Sequence, residues 1–118
     1  MGTNYYAVRN RPTTEHPHHI GKSSVGWLFH FQEQSDTWSE PPVTWHTWPQ
    51  VKTWLKNHTV DSTEFVIMDE YDEIIPYDVF VDLVETKQND PETRDNPDNF
   101  NYRVKNIDGY RFSDEEFF

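Results

Sequence analysis

Residues 19–27 read His-Ile-Gly-Lys-Ser-Ser-Val-Gly-Trp, and the assignment of these nine positions decides how the rest of the chain is laid out. They place an imidazole, a cation and two hydroxyls between glycines and lead into the alternating aromatics Trp27, Phe29 and Phe31. Two glycines five residues apart suit a turn, because glycine tolerates backbone conformations closed to other residues. The reading adopted from sequence is therefore a glycine-flanked turn. Within it His19, Lys22, Ser23, Ser24 and Trp27 are ligand-binding candidates: the first four can contact an anion and the indole can stack. Gly21-Lys22-Ser23 matches the end of a phosphate-binding P-loop, which also requires a glycine five residues earlier. That position is His16, and strand-like alternation follows where a P-loop needs a helix, so a nucleotide hydrolase is rejected.

Downstream, Trp27, Phe29 and Phe31 alternate with Leu28, His30 and Gln32, which predicts a strand over 26–32 with one aromatic face in the core. Residues 34–42 are polar, end in Pro41-Pro42 and read as a loop whose Trp38 is a partner-binding candidate. Thr47-Trp48-Pro49 has the form of a capped helix start, predicting a helix from Trp48 to about Asn57 with its tryptophans in the core.

Upstream, residues 4–9 are rich in β-formers and are broken by Asn10-Arg11-Pro12, giving a first strand. His16 and His18 lie in the following polar segment. Close imidazoles can share a transition metal; a solvated loop is the other reading, since Pro17 stiffens the backbone and no second ligand cluster stands nearby. Both remain open.

In the second half, residues 64–68 read as a strand, 69–73 as a polar turn and Ile74-Ile75 as the return strand of a hairpin. Pro76 opens a second helix over 77–86. Asp69, Glu70, Asp72 and Glu73 have the oxygens a hard cation wants, but no glycine or closing glutamate sits where an EF-hand loop needs one. A solvated hairpin tip is the preferred reading. Residues 87–101 read as a long polar loop, 102–104 and 110–112 as a last hairpin, and Ser113 with Glu116 as a capping box for a terminal helical turn.

Composition sets the boundaries of the problem. A chain of 118 residues matches one domain. Nineteen aromatic residues compensate for an apolar content of only 34%, so a small aromatic core is expected. There are no cysteines, hence no disulfides. No apolar run approaches the ~20 residues of a membrane span, so a cytoplasmic protein is expected. Net charge is −11 and sharply divided: residues 1–58 carry +1, whereas 59–118 carry −12. All six histidines and all five tryptophans lie in the first half. A strongly anionic half repels nucleic acid and membrane surfaces and attracts basic protein surfaces. Its acids Asp69, Glu70, Asp72, Glu73, Asp78, Asp82 and Glu85, with the terminal Phe117, are partner-binding candidates. No Ser/His/Asp order or paired-carboxylate frame supports an enzyme, and no cofactor is expected. The fold class expected is α+β: a mostly antiparallel sheet of five to six strands with two helices on one face.

Gly-Thr-Asn-Tyr-Tyr at 2–6, the 19–27 stretch, Asp69-Glu70-Tyr71 and Asp-Gly-Tyr-Arg-Phe-Ser-Asp at 108–114 together resemble a group of small, uncharacterised proteins of bacteriophages and prophages. The resemblance runs through most of the chain in the same order. Many members carry a cysteine pair before the histidine equivalent to His19, which implies a metal knuckle. Here 10–18 holds no cysteine, and a metal role then requires His16 and His18 as substitutes. A phage source implies an acidic inhibitor or modulator of a host protein, in anti-phage defence or nucleic-acid binding, acting in the infected cell's cytoplasm. The alternative class is a small-ligand or nucleotide binder using 19–27.

Overall fold

The computed structural model describes residues 2–12, 16–24, 28–38, 41–89, 104–107 and 110–113. Strands β1 (Gly2–Arg9), β2 (His18–Ser24) and β3 (His30–Gln32) are followed by a short pair, β4 (Gln34–Asp36) and β5 (Val43–Trp45). Helix α1 (Trp48–Leu55) continues as a π-helical turn, Lys56–Val60. The hairpin β6 (Phe65–Asp69) and β7 (Ile74–Ile75) leads into α2 (Tyr77–Asn89), and β8 (Val104–Ile107) and β9 (Tyr110–Ser113) form a second hairpin. The fold is α+β, as expected. Its main sheet is mixed and has seven strands in the order β7-β6-β1-β2-β3-β9-β8, with β3 and β9 parallel and the other pairs antiparallel; β4 and β5 make a separate two-stranded sheet.

Strand alternation gives the main sheet two unlike faces. One carries Tyr5, Ala7, Phe31, Phe65, Ile67 and Phe112, and both helices pack on it. Phe31 lies at the centre: its ring centroid is 4.6 Å from Phe29, 4.7 Å from Phe112 and 5.3 Å from Trp48 of α1. Phe80 of α2 meets Tyr5 at 5.6 Å and Phe29 at 5.5 Å, edge to face. Such pairs add to the area they bury because the ring quadrupoles prefer tilted contacts. Thr47 caps α1 as expected, its hydroxyl accepting from Gln50 N–H at 3.3 Å. Trp45 and Trp54 stand edge to face at 5.4 Å, their indole N–H groups donating to Gln32 O and Pro42 O.

The 19–27 stretch is the main correction. As far as Ser24 it is strand β2, bonded to β1 on one side and β3 on the other; Val25, Gly26 and Trp27 lie outside the described residues. Gly21 is there for closeness rather than for a turn: a Cβ would collide with the His30 carbonyl and the Phe29 ring. Other boundaries move as well: the strand expected over 26–32 is, among the described residues, a strand only over 30–32, and the last hairpin pairs 104–107 with 110–113. The expected loop 34–42 begins with β4, which pairs antiparallel with β5, Gln34 opposite Trp45, Ser35 opposite Thr44 and Asp36 opposite Val43. α1 ends at Leu55 and widens into the π turn, where Asp61 N–H reaches back to Lys56 O. α2 extends to Asn89, its last residue held by Nδ2 donating to Glu85 O, so 87–89 belong to the helix. The rest of the expected loop, 90–101, and the terminal turn, 114–118, lie outside the described residues. Neither described helix is long and apolar enough to cross a membrane.

Candidate functional site

The face of the main sheet turned away from the helices carries the polar chemistry of the first half. Asn4, Lys22, His30 and Arg111 stand in register across β1, β2, β3 and β9. His19 joins them because of a β-bulge. The β1–β2 register passes from Tyr5↔Gly21 to Tyr6↔His19, leaving Ile20 as the extra residue. In a regular strand residues 19 and 22 would face opposite ways; one inserted residue turns both to the same side. Ile20 goes to the core, fully buried.

His19 is then fixed by a short chain of hydrogen bonds. Glu70 Oε1 accepts from Asn4 N at 2.7 Å and from Asn4 Nδ2 at 3.2 Å. With the amide nitrogen so used, Asn4 Oδ1 is the acceptor for His19 Nε2 at 2.9 Å, which assigns the Nε2-protonated tautomer. Tyr6 lies over the imidazole at 5.1 Å. Burial pushes His19 down to about 4, with Lys22 adding to the fall and a bond to the Gly21 backbone opposing it. His30 falls to about 3, chiefly by burial and then by Arg111, His19 and Lys22. Both imidazoles are neutral at pH 7, so the positive charge here belongs to Lys22 and the buried Arg111.

The candidate residues of 19–27 are therefore divided. Lys22 and Ser24 share the polar face with His19. Ser23, paired with Thr3, turns to the opposite face, and Trp27 lies outside the described residues. His30 and Arg111 were missed by sequence reasoning. Their only available signal was the alternation of His30 with Phe29 and Phe31, which puts an imidazole opposite an aromatic face. His16 is exposed and His18 packs its ring 6.2 Å from Phe65 on the helix side. No group of three or more metal-ligating side chains forms among the described residues.

The acidic candidates also separate. Asp69 is 8% exposed, and its Oδ1 accepts from Tyr71 N–H at 2.8 Å and Glu73 N–H at 3.0 Å. It is the internal tie of the β6–β7 turn, not a surface charge, because two backbone donors would otherwise lack a partner. Glu85 is bound within the fold by Trp48 Nε1 at 3.3 Å and Lys52 Nζ at 3.2 Å. Glu70, Asp72, Glu73, Asp78 and Asp82 are exposed. Asp72 takes the left-handed conformation at φ 64°, one that aspartate and asparagine tolerate better than most residues. Among these acids stand the exposed apolar side chains Tyr71, Ile74 and Val79. Trp38 is in a different place, next to β4, and Phe117 lies outside the described residues. No family model, curated protein or solved structure matches the chain.

Proposed function

We propose that the chain is a phage-encoded, non-enzymatic acidic protein that binds a basic surface of a host protein and so inhibits or modulates it. One observation carries the reading. From Asn57 to Thr86 the chain has nine carboxylates and neither lysine nor arginine, and Glu70, Asp72, Glu73, Asp78 and Asp82 face solvent together with Tyr71, Ile74 and Val79. Carboxylates steer a basic partner into contact, and apolar side chains among them provide surface that is desolvated on docking. A host protein that normally holds nucleic acid has the required charge, and the infected cell's cytoplasm is where it would be met.

The test is capture from a bacterial lysate at low and high salt, run beside the variant D72N/E73Q/D78N/D82N, which leaves the Glu70 carboxylate on Asn4 intact. Asparagine at position 72 keeps the left-handed turn available. Specific capture is expected to weaken at high salt and to fail with the variant, since exposed charges are screened within about 8 Å at physiological ionic strength. Capture that resists both changes overturns the proposal.

A second reading has its own observation in the alignment of Lys22, His30 and Arg111 across three strands. It assigns the polar face to a small anionic ligand such as a nucleotide. Calorimetry against a nucleotide panel decides it: heat that disappears in Lys22→Met supports the site, and no heat from any member sinks it.

A further inference from the structure

Two features of the near-neutral half are used by neither reading. The first is Trp38, 97% exposed. An indole can bury about 150–250 Å², and the backbone of this one is tied to β4, where Asp36 Oδ1 accepts the Trp38 N–H at 3.1 Å. The second is an open cleft of about 350 Å³ lined by Thr44, Pro49, Gln50, Thr53, Trp54 and Asn57. That volume is at the small end of ligand cavities, roughly 300–1,000 Å³. Its lining has no charged residue, although the chain carries −11.

We propose that these features are the two halves of one contact, in which Trp38 of one copy seats in the cleft of a second copy. The size and chemistry agree: an apolar bicyclic ring with one N–H donor enters an uncharged cleft whose rim offers amide and hydroxyl acceptors, Asn57 Oδ1 among them. The placement allows reciprocity. Thr44 of the cleft is on β5, paired with Ser35 of β4, the strand that leads to Trp38. Each copy thus presents the anchor beside β4 and a cleft that α1 and the π turn form and Thr44 of the same hairpin edges, so that one copy carries both parts a two-fold dimer requires. Charge selects the same region. Two copies meeting through residues 59–118 would oppose −12 to −12, whereas Trp38 and every cleft residue belong to the half that carries +1. Dimerisation here leaves the acids of β6–β7 and α2 free.

Sedimentation velocity of the intact protein, from micromolar to sub-millimolar concentration, tests the proposal. A reversible species of twice the 14.2 kDa chain mass is expected, with tryptophan emission moving to the blue as it forms. Trp38→Ala should raise the dissociation constant ~30-fold or more, the loss typical of a buried tryptophan anchor. Thr53→Trp, which fills the cleft from an exposed helix position, should do the same while Trp38 is intact; circular dichroism of both variants should match the parent. A monomer throughout the range, or a dimer indifferent to Trp38→Ala, overturns the proposal. So does a monomer whose Trp38 is shielded from a quencher, for then the indole folds onto its own chain.

Discussion

The two faces of the main sheet are built from the same strands by different rules. On the helix side, Tyr5, Phe31, Phe65 and Phe112 are placed by alternation, and rings from α1 and α2 close over them. On the other side, His19 and Lys22 come together only because Ile20 is an extra residue, and His30 and Arg111 join them by pairing between strands far apart in sequence. The first face depends on what each residue is; the second depends on register. Damage to the aromatic face should therefore cost stability directly, whereas damage to the polar face should show mainly as altered response to pH.

The largest expected effect of a single substitution is that of Phe31→Ala. It removes a fully buried ring with three close aromatic neighbours and should cost about 3–5 kcal/mol, read by denaturant unfolding. A loss below 1 kcal/mol would mean that the helix-side packing is not as described. Gly21→Ala follows, at about 1–3 kcal/mol, because its methyl group must displace the β3 backbone at the His30 carbonyl as well as the Phe29 ring. This substitution separates the rules: a turn glycine with free space around it would tolerate alanine at far less cost.

Acid comes next. His19 and His30 are held neutral in the fold, with values near 4 and 3, whereas an unfolded chain protonates them near 6.5. The unfolded state binds the extra protons, so the stability present above pH 6.5 should be lost as pH falls towards 4. The slope is at most ~1.4 kcal/mol per pH unit for each histidine. Unfolding curves between pH 7 and 4 check this, and His30→Gln should flatten them. The smallest effect belongs to Lys22→Met. With Lys22 only half-buried, stability at pH 7 should move by no more than about 0.5 kcal/mol. The imidazole of His19, followed by NMR, should titrate at higher pH, because a nearby positive charge has been removed.

The same division explains what could be read from residues alone. The inward aromatic side chains Phe29 and Phe31 and the Thr47-Trp48-Pro49 helix start carry local signals and lie where those signals place them, as do the exposed positions 70–73 of the β6–β7 turn. The 19–27 stretch was misread because a glycine in a turn and a glycine under a neighbouring backbone look alike in one dimension; the difference is the position of His30. β4 and β5 are three residues each, too short for alternation to register beside Pro41-Pro42. Burial in β6 does alternate, with Phe65, Ile67 and Asp69 inward, but the pattern is legible only once Asp69 is known to turn inward and bind its own turn. Ser23 and Lys22 were grouped as neighbours in sequence although a strand sends them to opposite sides.

The parallel pairing of β3 with β9 has a consequence for when this sheet can form. Phe31 meets Phe112, and Gln32 Nε2 donates to Ser113 O across 81 residues. Local hairpins such as β1–β2 and β6–β7 can assemble while the chain is still being made. Phe31, however, has no partner on its β9 side until residues 110–113 are available, and loop closure of that length is costly before the contact repays it. During synthesis the β9 edge of β3 therefore stays unpaired until residues 110–113 emerge, even after α1 and α2 are available to cover the rest of the aromatic face.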